Sequence, residues 1–222
     1  MHKTICALAS PLACCLWLTP ANAAMVTFSF TGSFSADDDV QLINFTVDTP
    51  ADTGATVILR SFSYGGGTQG NGHAVTPGGF DPVLSLFDAA GVLIGSNDDD
   101  LTGAVNPDPS NSVRFDTLFQ AMLDDGDYTV ALSQYNNFAA GSTLADGFLQ
   151  TGNPFFTIGL GPGCTNGQFC DAFGGNRTNA WAFDIVNVDN ATVVPIPAAF
   201  PLLLSGLAGL GFLGRWRRPA SA

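Results

Sequence analysis

Residues 198–214 carry no charge, and Ser205 is the only polar side chain among them. As an α-helix, rising 1.5 Å per residue, the run spans roughly 25 Å, a little short of a bilayer core of about 30 Å. Arg215, Arg217 and Arg218 follow at once, with Trp216 among them. That order matches a membrane span with a cytoplasmic basic flank and an interfacial aromatic. Gly206, Gly209, Gly211 and Gly214 weaken a helix in water but are common in membrane helices. A terminal helix buried in a soluble core is the alternative, but such helices rarely run uncharged this far and then stop in three arginines.

The other end reads as a second targeting element. Met1, His2 and Lys3 make a short basic start, and the run from Ile5 to Leu18 is apolar. Ala21, Asn22 and Ala23 then supply a small-residue cleavage pattern, so residues 1–23 are expected to be a cleaved signal peptide. Cys14 and Cys15 raise a lipoprotein alternative, but apolar residues continue past them to Leu18, out of register for lipid attachment. Together the two ends place residues 24–193 outside the cytoplasmic membrane and the arginine cluster inside.

The stretch Val194, Pro195, Ile196, Pro197, Ala198, Ala199, then a Leu- and Gly-rich span, then an arginine cluster, resembles the PEP-CTERM sorting signal in its VPxPA variant. The resemblance covers residues 194–218. It implies a Gram-negative bacterium and a chain held transiently in the inner membrane through its C-terminal helix. It further implies processing near the Pro-rich motif by an exosortase-type transpeptidase, then delivery to the cell surface or extracellular matrix, in association with exopolysaccharide or biofilm. Ile196 stands where the commoner form has Glu, so the expectation rests on the variant motif.

The body between these ends contains all nineteen acids of the chain, every one an Asp, against Arg60, Arg114 and Arg177. A surface so negative repels nucleic acid and anionic lipid, which excludes nucleic-acid binding. Asp is a turn former and a hard oxygen ligand for calcium. Solubility plus turn chemistry and calcium binding are therefore both open readings of the bias. Only Cys164 and Cys170 lie in the body, within a Gly-rich segment of an exported chain, a pattern expected of one disulfide closing a small loop. Zinc would need two further ligands, and His73 is the only body histidine.

Alternation of apolar and polar residues marks strands over 26–31, 40–47, 55–64, 80–88, 92–95, 128–135 and 178–188. Segment 113–123 fits a strand or a helical turn, 65–79 and 136–175 read as loops, and 189–194 reads as a short linker. The expected fold is all-β, a jelly-roll-like antiparallel β-sandwich. The order Asp81 to Asp88, Gly91 to Ile94, Asn97 to Asp99 and Asp125 to Val130 also resembles bacterial pre-peptidase C-terminal domains. Those are jelly-roll sandwiches, some of which bind calcium, collagen or carbohydrate, and the likeness covers about a third of the body.

No catalytic motif is present: neither a nucleophile elbow nor a zinc-protease helix, and His73 lies in a Gly-rich loop. The chain is expected to be a non-catalytic surface or matrix protein, with a calcium-stabilised carbohydrate- or protein-binding module as one alternative and a matrix-acting hydrolase as the disfavoured one. The sharpest site expectation is calcium. Carboxylates crowd at Asp37, Asp38 and Asp39, and again at Asn97, Asp98, Asp99 and Asp100, with Asp81 a further contributor. Asp98, Asp99, Asn97 and Asp81 are the candidate ligands, weighed against a solvated acidic loop. Tyr64, Tyr135, Phe138 and Trp181 are candidates for a carbohydrate-stacking platform, with core packing the alternative.

Overall fold

A computed structural model describes residues 26–50 and 52–195. The expected signal peptide, Ile196, Pro197, Ala198, the expected span 198–214 and Arg215, Arg217 and Arg218 lie outside the described residues. Among the described residues no helix is long and apolar enough to cross a membrane.

Eleven strands account for the described architecture: β1 Thr27–Ser33, β2 Gln41–Val47, β3 Ala55–Ser61, β4 Gly67–Thr68, β5 Ala74–Val75, β6 Pro82–Phe87, β7 Leu93–Asn97, β8 Leu118–Leu123, β9 Gly126–Gln134, β10 Ala180–Val186 and β11 Asn190–Val193. One sheet has the order β1-β10-β3-β8 and the other β11-β2-β9-β6-β7, while β4 and β5 form a separate ribbon. Every named strand pair is antiparallel. The two larger sheets face one apolar core, so the fold is an all-β sandwich.

The period-two patterns explain the core. Ile43, Phe45 and Val47 on β2 are buried while Asn44 is exposed. Val57 and Leu59 on β3, Leu84 and Leu86 on β6, and Val130 and Leu132 on β9 join them, with Trp181, Phe183 and Ile185 from β10. Trp181 lies flat on β1 because Gly32 leaves room. A Cβ there would sit 2.4 Å from the indole ring. Strand β6 is buried on both sides. Residues 136–153 are tied to the strands on either side of it: Ser133 Oγ on β9 donates to Asn137 O, and Leu93 N–H on β7 donates to Ser142 O.

One open alternative is decided by the structure and one expectation is overturned. The ambiguous 113–123 segment supplies β8, whose Leu118–Leu123 pairs with β3 from Ala55 to Arg60. Tertiary pairing there overrides the helix preference of Leu, Gln, Ala and Met. The expected linker 189–194 is not a linker: Asn190–Val193 forms edge strand β11 against β2. Only Ala191 of its four residues is buried, so it carries little hydrophobic pattern.

Candidate metal centre

Hairpin β6–β7 turns at Asp88, whose carboxylate accepts the Ala90 and Val92 N–H groups, with Gly91 at φ 76°. The register pairs Leu84 with Asn97. The open end of the hairpin therefore brings Asp81, just before β6, beside Asp98 and Asp99, just after β7. One carboxylate oxygen from each lies within 4.8 Å of the others.

Their state differs from that of the other buried acids. Asp81 is 4% exposed, and its Oδ1 is buried without a hydrogen-bond partner. Asn97 Oδ1, Asp98 Oδ1 and Asp99 Oδ1 are likewise buried and unpartnered. The Asn97 amide is oriented by its Nδ2, which donates to Asp99 O at 3.4 Å. Burial, then the charges of Asp98, Asp99, Asp116 and Asp171, drives the Asp81 carboxyl well above its usual range. Burial and the Asp99 charge push Asp98 up to about 6, and burial raises Asp99. Neither salt bridge among the described residues reaches this cluster: both are made by Arg177, to Asp108 and Asp171.

Buried acids elsewhere are fully engaged. Asp37 accepts Thr157 N–H and Oγ1–H on one oxygen and Phe169 N–H on the other. Asp39 accepts Ser35 and Ala36 N–H, and Asp38 accepts Gly152 N–H. The Asp37 to Asp39 run is thus a set of loop clamps rather than a cation cluster. Asp100, adjoining the candidate ligands, turns away to accept from Thr102 and Val105. Burial raises Asp116, although Ser61, Tyr64 and Gly65 donate to it.

The three converging carboxylates form a hard, all-oxygen donor set, and the unpartnered Asn97 Oδ1, adjoining Asp98 in sequence, is a fourth candidate oxygen. Such a set suits calcium, which takes six to eight oxygens at roughly 2.3–2.6 Å, with second carboxylate oxygens and water completing the shell. Sulfur- or imidazole-preferring metals find no matching donor in it. The alternative of a solvated acidic loop fits poorly with Asp81, because a buried carboxylate without a partner is costly.

The same end of the sandwich holds a second charged cluster. Arg177 pairs with Asp108 at 2.5 Å and Asp171 at 2.7 Å, and its guanidinium lies 3.8 Å from the centre of the Tyr64 ring. Arg177 also donates to the Tyr64 hydroxyl, which donates to Asp171 and accepts from Asn111. This network joins three loops and was not legible in the sequence. Its available signal was one of only three body arginines amid nineteen aspartates, since a buried cation must find carboxylates. Cys164 and Cys170 form the expected disulfide, with Cα atoms 5.7 Å apart.

The carbohydrate-platform expectation fails as a unit. Tyr64 is 0% and Trp181 5% exposed, so both are core, while Tyr135 and Phe138 pair edge-on at 6.0 Å elsewhere. Strand-spaced aromatics pack inward because burial of their large apolar area dominates. His73 is exposed and lines a pocket of roughly 470 Å³ with Ser33, Ser63 and Trp181. Among the described residues its hydrogen bonds are made by its backbone, to Asn71 and Gln69. Of the sorting motif, Val194 and Pro195 are described and follow β11 directly. No family model matches the chain, and no curated protein matches it.

Proposed function

We propose that this chain is an exported, non-catalytic surface or matrix protein whose β-sandwich is stabilised at its loop end by a bound calcium ion. The observation that carries the calcium reading is the buried, unpartnered Oδ1 of Asp81, in a residue whose carboxylate converges within 4.8 Å on those of Asp98 and Asp99, with Asn97 Oδ1 also unpartnered next in sequence. The jelly-roll-like description belongs to the same reading, supported by two antiparallel sheets that approach each other along both edges, β7 near β8 and β1 near β11. Export, the membrane span and delivery by an exosortase-type system rest on the residues at the two ends, as does association with exopolysaccharide. The non-catalytic reading rests on the missing motifs and on the lone exposed His73, whose hydrogen bonds join no acid to a nucleophile.

Melting of the full chain in detergent micelles, with EDTA or with saturating calcium, tests the ion. At a calcium concentration about a hundredfold above its Kd the gain is about 2.7 kcal/mol, or a rise of roughly 5–10 °C for a body of this size. The Asp98→Asn, Asp99→Asn double variant should lose that rise. Equal melting with and without calcium in the parent protein would sink the calcium reading.

A further inference from the structure

Edge strand β11 is held one residue beyond its ladder. Val193 pairs with Ile43 as the last register pair. Past it, Val194 N–H donates to Leu42 O at 2.9 Å. The side-chain amide of Gln41 then donates to Val194 O and to Leu42 O, each at 2.8 Å. Gln41 is 5% exposed, so this clamp is shielded from water, where a hydrogen bond keeps more of its strength. Pro195 comes next, is exposed, and lacks the N–H that would extend the ladder. Both backbone polar groups of Val194 are therefore committed to the folded body, and Pro195 is the first residue outside it.

A processing enzyme needs several residues of extended, unpaired backbone, and residues locked in a sheet become available only by local opening. We propose that Gln41 sets the N-terminal limit of processing. The chain is cut only after Pro195, and the released body keeps Val194 and Pro195. The cut is an acyl transfer: the amide C–N bond breaks, its carbonyl carbon forms a C–O bond to water or a C–N bond to an acceptor amine, and the nucleophile's proton leaves on the tail's new amine. The proposal rests on the reading that the tail is removed, whereas the clamp does not.

Two digests separate these parts. Full chain in detergent micelles is trimmed with proteinase K, and the body released from exporting cells is collected in parallel; intact mass gives both C-termini. In the parent protein both should end at Pro195 or beyond. In Gln41→Glu, which presents a carboxylate to two carbonyls, the fraction ending within residues 190–194 should rise about tenfold, the effect of losing a shielded hydrogen bond. Gln41→Met, which keeps the volume without the donor, should do the same while the melting temperature shows the body still folded. Trimming of the folded parent to a point before Val194, or unchanged termini in both variants, overturns the clamp. If the micelle digest stops at Pro195 but cells release no body, the processing reading falls and the clamp stands.

Discussion

Removing the Arg177 side chain gives the sharpest test of how the loop end is held. In Arg177→Met, Asp108 and Asp171 lose a cation at 2.5 and 2.7 Å, with side chains only 4% and 1% exposed. Breaking one side of a buried pair costs about 3–5 kcal/mol, and the lost stacking on Tyr64 adds to this. Some support survives. Asp108 still accepts from Ser110, and Asp171 from Phe173, Gly175 and Tyr64. We therefore expect about 4 kcal/mol at neutral pH, a large share of a typical stability of about 5–15 kcal/mol. The pH dependence supplies the signature. Burial opposes the charge of both acids, but hydrogen bonds outweigh it and hold them below their usual range: those of Ser110 and Arg177 at Asp108, those of Gly175, Arg177 and Tyr64 at Asp171. Depressed carboxylates contribute stability that is present above the unfolded-state value, about 3.9, and lost as pH falls through the folded value. Without Arg177 their folded values rise, so protonation relieves the stranded charges and the cost of the substitution shrinks as pH approaches 4. Urea unfolding followed by Trp181 fluorescence, at neutral pH and near pH 4, reads both quantities. A cost below about 1 kcal/mol, the surface-pair range, or the same cost at both pH values, would show that Arg177 does not hold the loop end as a buried ion pair.

Three further outcomes are expected. Asp81→Asn should abolish the calcium response yet raise the melting temperature in EDTA, because a neutral amide replaces a carboxyl whose ionisation burial opposes; differential scanning calorimetry of both states checks this. Asp98, raised to about 6, contributes protonation-linked stability to the metal-free body that is full below about pH 3.9 and lost as pH rises through 6. Calcium competes with those protons, so its stabilisation should be largest at neutral pH and decline below 6 in melting curves run across that range. Reduction of the Cys164–Cys170 bond, which closes a loop of six-residue separation, should cost about 2.4 kcal/mol by chain entropy, read by urea unfolding with and without reductant.

The strands were legible where one face is buried and the other wet, as in β2, whose Ile43, Phe45 and Val47 alternate with more exposed neighbours. They were not legible where pattern and burial part company. Strand β11 buries one residue, and β8 is a helix-prone run made extended by β3. The acidic clusters divide the same way. Asp98, Asp99, Asn97 and Asp81 could be joined because one short hairpin carries them. The Asp37 run looked equivalent, but its partners Thr157 and Phe169 lie 120 and 132 residues away. Whether an aspartate is satisfied depends on tertiary neighbours, which local sequence does not reveal. Tyr64, in the loop after β3, and Trp181, on β10, illustrate the same limit, since an aromatic's own neighbours in sequence do not announce whether it faces the core.

The most direct test of the cation centre is calorimetric titration of calcium into the EDTA-stripped, dialysed full chain in detergent micelles, near pH 6 in two buffers of different ionisation heat. The expected isotherm shows one saturable site per chain, proton release on binding, and loss of the binding heat in Asp81→Asn. No saturable heat in the folded parent protein, or an unchanged isotherm in Asp81→Asn, would contradict it.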